Sequence, residues 1–194
     1  MAGPTSFGYQ NLGFGSGISA TENIELLETQ TITSNTAQVD FTSIKGSEYN
    51  VHYLTAQNIK NASDDQQFAI RMSVGGTFDT DTDYKRAIFT LSHDGGTDDS
   101  RDTNINQIFF TLNQGNVGEE RGHGYAYFYN LHNSATVSLV NIFTTGVNVN
   151  GKVKINYGGG TYDQTASVDG IRICMSNPGA PNISSGVFSL YGVK

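Results

Sequence analysis

The sequence predicts an all-β protein, an antiparallel β-sandwich of jelly-roll-like type carrying an extended, glycine-rich N-terminal arm. Three observations point there. The chain of 194 residues holds 23 glycines and many Asn, Thr and Ser, while charged residues make up only 15%. That composition is poor for helices, because Gly costs backbone entropy and the small polar residues compete for backbone hydrogen bonds. Short runs of alternating apolar and polar residues recur along the chain, the pattern of strands with one face buried. Between them lie clusters of turn-forming residues, and no stretch has convincing helical periodicity.

The elements follow in order. Residues 1–22 contain five glycines, three aromatic rings (Phe7, Tyr9 and Phe14) and no charge until Glu22. So much glycine disfavours regular structure, yet a solvated linker would not carry three rings; an arm that orders on a partner or on its own domain accounts for both. Residues 1–22 therefore read as a docking arm and residues 23–194 as the sandwich, with Phe7, Tyr9 and Phe14 as the candidate partner-docking residues.

Ile24, Leu26 and Leu27 open a first strand that runs to about Thr33. Val39 and Phe41 alternate with Gln38 and Asp40; Tyr49, Val51 and Tyr53 alternate with Asn50 and His52. Asn58–Asp65 reads as a loop, followed by an alternating run through Phe68, Ile70 and Met72. Arg86–Leu91 is a strand, Ser92–Asn106 a long polar loop, and Gln107–Leu112 a further strand. Tyr125, Tyr127 and Tyr129 alternate with Ala126 and Phe128, and the tyrosines are expected to bury their rings at the core edge. Val137–Ile142 and Val147–Tyr157 come next, with Gly151 at a turn or bulge. Gly158-Gly159-Gly160 is expected to break the chain. Ser167–Met175 and Val187–Val193 close a count of about ten strands, and the first and last should lie side by side.

Charge and cysteine content exclude several functions. The net charge of −7, with 11 scattered basic residues, leaves no basic stripe for nucleic acid or a membrane surface. No apolar run approaches the roughly 20 residues of a spanning helix, and the N-terminus lacks the pattern of a signal peptide. The single cysteine, Cys174, precludes an intrachain disulfide and reads as a small buried hydrophobe.

No motif in the chain assembles a catalytic, metal or cofactor site. Gly15-Ser16-Gly17-Ile18-Ser19-Ala20 matches a dinucleotide fingerprint without the strand and helix that give it meaning. Asp79, Asp81 and Asp83 open like a calcium loop, but Tyr84 and Thr90 stand where Gly and Glu are needed. Solvated, turn-forming aspartates are the simpler reading, there and in the acidic stretch Asp94, Asp98, Asp99 and Asp102. His52, His93, His123 and His132 have no zinc spacing, and His123 near Glu119 and Glu120 is the only suggestive grouping. No Gly-x-Ser-x-Gly elbow is present. The expectation is no enzyme and no cofactor.

Two ends of the chain carry a resemblance. Ile24-Glu25-Leu26-Leu27-Glu28-Thr29-Gln30-Thr31-Ile32 leads into Ala37-Gln38-Val39-Asp40-Phe41-Thr42-Ser43-Ile44. The chain closes on Ser184-Ser185-Gly186-Val187-Phe188-Ser189-Leu190-Tyr191-Gly192-Val193-Lys194. This bracket resembles small jelly-roll-like structural proteins of tailed bacteriophages, which share a glycine-rich N-terminus and such first, second and terminal strands. The resemblance covers about a quarter of the domain, in segments that encode strand pairing and not chemistry. It implies a virion component: a capsid decoration (cement) or head-fibre protein attached through its arm to the major capsid protein, or a tail-fibre module meeting a host surface glycan. Such proteins are commonly trimers, so a homo-oligomer is expected. The resemblance carries over no catalytic residue.

Overall fold

The structure, a computed structural model, describes residues 24–111, 114–177 and 182–194. The arm residues Phe7, Tyr9 and Phe14 lie outside the described residues. Among the described residues there is no helix, and the strands are β1 (Ile24–Ile32), β2 (Gln38–Phe41), β3 (Val51–Asn61), β4 (Phe68–Val74), β5 (Thr77–Phe78), β6 (Tyr84–Ser92), β7 (Thr97–Ile105), β8 (Ile108–Phe109), β9 (Gly122–Tyr129), β10 (Ser138–Val147), β11 (Val153–Tyr162), β12 (Gly170–Met175) and β13 (Ile183–Val193).

They form two antiparallel sheets. One has eight strands in the order β1-β13-β3-β9-β10-β11-β6-β7; the other runs β2-β12-β4-β5, with β8 also paired to β4. Successive strands β1 and β2, β3 and β4, and β12 and β13 step from one sheet to the other, which is the winding of a jelly roll. The first and last strands pair along their length, from Ile24 opposite Val193 to Ile32 opposite Gly186. Between the sheets, Leu54, Phe128, Phe188 and Leu190 of the larger meet Phe41, Phe68, Ile70, Met72 and Ile173 of the smaller, all buried. Each such side chain contributes about 1.5–3 kcal/mol through removal from water.

The structure corrects four local expectations. Thr97–Ile105 is not a loop but an edge strand on β6. It has no apolar face, so alternation could not reveal it; backbone pairing holds it, and its charges suit an exposed edge. Asn58 does not end a strand: β3 continues through a bulge to Asn61. Gly158-Gly159-Gly160 does not break the chain, for β11 runs through it, paired to β10 on one side and β6 on the other. A Cβ at Gly159 would strike the Val140 carbonyl oxygen, so only glycine lets β11 come this close. In β3 the predicted faces are reversed: His52 is buried, while Val51 and Tyr53 turn away from the core.

Candidate interaction surface

The outward faces of the two sheets differ in kind. The smaller sheet shows the polar exterior that an open antiparallel sheet ordinarily has. There Asp40, Arg172 and Arg71 stand in one cross-strand row. The Arg172 guanidinium donates to both Asp40 oxygens at 2.7 and 2.8 Å and lies over the Phe78 ring.

The larger sheet breaks the pattern. Leu26, Tyr191, Tyr53, Tyr127, Asn141, Gly159, Ala87 and Arg101 form one continuous row across all eight strands. A neighbouring row runs Thr55, Tyr125, Phe143, Tyr157, Phe89 and Asp99. The rings support one another: Tyr53 stacks on Tyr127 at 4.7 Å between centroids, Tyr125 on Phe143 at 5.6 Å, and Tyr191 leans on Tyr53. Partial burial, and then the neighbouring Tyr127, Tyr125 and Tyr191, raise the Tyr53 hydroxyl above the ordinary tyrosine range. Tyr157, Leu139 and Phe143 keep 45%, 40% and 38% of their surface in solvent. A soluble monomer rarely exposes so continuous an apolar patch.

Beside the rings lies a shallow trough of about 730 Å³. Gly159, Gly160 and Ala87 floor it, and Tyr129, Leu139 and Lys85 stand at its sides. The absence of a side chain at Gly159, in the outward row, opens the recess, while Gly160 contributes backbone and faces Ile108 in the core. Its cations are already engaged: Lys85 Nζ is 2.5 Å from Asp163, and the Arg101 guanidinium 2.6 Å from Asp99. At one end Arg86, largely buried over the Phe109 ring, donates to Asp102 at 2.8 Å and ties β7 to β6.

The expected burial of Tyr125, Tyr127 and Tyr129 is therefore overturned. In β9 the core side is taken by Gly122, Gly124, Ala126 and Phe128. A Cβ at Gly124 would collide with Thr144, so no bulky residue fits inward there. The run of small residues at alternate positions was the available signal.

The other sequence candidates do not come together. Asp79 accepts a hydrogen bond from the Tyr162 hydroxyl at 2.8 Å and another from the Asp81 amide, which makes it a turn anchor. Among the described residues no three His, Cys, Asp or Glu side chains form a metal-binding group. Asp94 is paired with Lys152, and this holds its carboxyl well below the usual range. Glu120 accepts from the Val117 amide and His123 from the Asn58 amide, so the two serve separate loops. Ser167 and His132 are 2.9 Å apart on the surface, but no carboxylate is hydrogen-bonded to His132 among the described residues. Cys174 is buried, and burial pushes its thiol up.

Comparison with known proteins finds no family model and no curated protein that matches this chain.

Proposed function

We propose that this chain is a non-enzymatic structural protein of a bacteriophage virion that works by packing its surface against neighbouring proteins. The observation that carries the packing role is the exposed tyrosine face of the eight-stranded sheet. The virion setting is supported by the strand motifs at the two chain ends. In the fold those motifs lie in β1, β2 and β13, and Glu25 of the first stands opposite Gly192 of the last. Within that setting a capsid decoration or head-fibre protein, held by residues 1–22 to the major capsid protein, suits a short chain without fibrous repeats. A homo-oligomer, with a trimer as one form, would cover sheet edges.

The test mixes the full chain with particles that lack it, and compares a variant in which Phe7, Tyr9 and Phe14 are serine. Co-sedimentation of the first and loss of the second are expected. Equal binding of both would reject the arm as the attachment, and no binding of either would reject the decoration role. One feature favours a second reading, a tail module for a host glycan: Tyr129 and Asn141 border the trough with an aromatic ring and a hydrogen-bonding amide. A glycan array blank at every sugar would end it.

A further inference from the structure

We infer that the tyrosine face is where copies of this chain meet one another; this rests on the surface-packing reading above and names the neighbour. The charge distribution is the first reason. None of the 18 Asp and Glu residues lies in β13, β3, β9, β10, β11 or β6, six adjacent strands of a protein with net charge −7. Acids return on the flanking strands, Glu25 and Glu28 on β1 and Asp98, Asp99 and Asp102 on β7, and just past strand ends, where Asp163 pairs with Lys85 and Asp94 with Lys152. A strongly acidic chain approaches itself at lowest electrostatic cost through such a region, since like charges set opposite one another repel. An apolar centre with a charged rim is also the anatomy of a protein–protein contact.

Shape is the second reason. Contacts between identical copies require that one face carry both the projection and the recess it fills. Here Tyr127, Tyr125 and Phe143 project beside the Gly159–Gly160 trough on the same sheet. A rotated copy brings rings to recess. Tyrosine suits this role, because a large ring with few rotatable bonds loses little entropy on docking.

Extent is the third. Six strands about 4.8 Å apart, with about seven residues each at about 3.3 Å, span roughly 650 Å² in projection. Side-chain relief brings this near the roughly 800 Å² per partner of a standard interface. A nucleic acid would need free cations, and Lys85 and Arg101 are paired within the chain.

The experiment measures the mass of the full chain by light scattering and sedimentation over a concentration series. The expected result is a multiple of 20.9 kDa. Tyr127→Asp and Leu139→Asp should each weaken association by about 30-fold or more, the effect of losing a central interface residue. Val117→Asp, at an exposed apolar residue of the loop before β9, should change nothing. Circular dichroism confirms folding, and Tyr157→Asp serves if either variant misfolds. A wild-type monomer at every concentration overturns the inference, whether the chain's own arm or a sugar then proves to cover the face. So does an oligomer indifferent to these substitutions. A monomer that still binds particles defeats this inference alone; an oligomer that ignores particles defeats the virion reading alone.

Discussion

His52 sits in β3 with its ring wholly buried, and its Nε2 lies 2.6 Å from the Ile44 carbonyl, to which it donates. Burial lowers its proton affinity below the ordinary value of 6.5, outweighing the Ile44 bond that acts the other way. The folded chain thus holds a neutral ring. As pH falls below 6.5 the unfolded chain takes a proton that the folded one refuses, so stability drops toward acid. The slope from this group reaches up to about 1.4 kcal/mol per pH unit. Urea titrations at pH 7.5 and 5.5 should show that drop in the wild type and a smaller one in His52→Gln. A drop of equal size in both would mean the imidazole titrates freely. Cys174 gives a second test at this scale. With its thiol buried and pushed up, it should react with an aromatic disulfide reagent about 100-fold more slowly in the native protein than in urea. The cysteine's burial was legible from its place in an apolar run. His52's was not, because a polar residue in an alternating strand reads as solvent-facing, and only the register with Phe128 and Gly192 places it inside.

At the scale of elements, strands with an apolar face were legible almost to the residue, as β1, β2 and β4 show. Two strands hid for opposite reasons. β7 has one apolar residue, Ile105 at its end, and exists through its bonds to β6, with Arg86 and Asp102 clasped between them. Asp102→Ala leaves the mostly buried Arg86 without its carboxylate, and the edge should open more often. Amide exchange across residues 97–105 should rise about tenfold or more, with the rest of the sheet unchanged. β11 hid behind its glycines, which turn signals equate with chain breaks. In the sheet they permit close approach, so Gly159→Ala should cost about 2–3 kcal/mol by forcing β10 away, read as a lower urea midpoint. The terminal motif has the same logic. Phe188 and Leu190 face the core and Tyr191 faces outward. Gly192 leaves room for the Tyr49 ring, whose hydroxyl donates to Glu25 of β1. The first and terminal motifs thus meet at one edge of the larger sheet.

At the scale of the whole molecule, the sandwich was legible but the character of its outer faces was not. Single-strand alternation says that two faces exist; which one is apolar emerges only when eight strands are laid in register. The resulting asymmetry fixes how association should depend on salt. Copies carrying a charge of −7 repel at long range, while the six central strands of the tyrosine face carry no carboxylate to attract or repel at contact. Salt screens the first effect, with a Debye length of about 10 Å at 0.1 M falling to about 3 Å at 1 M. It leaves apolar packing intact or strengthens it. Raising sodium chloride from about 0.05 to about 0.5 M should therefore tighten self-association several-fold in sedimentation equilibrium. A contact built on the charged row Asp40–Arg172–Arg71 of the other sheet would respond in the opposite sense, since its attraction is what salt screens. A dissociation constant that rises with salt would move the interface off the tyrosine face and onto the charged one.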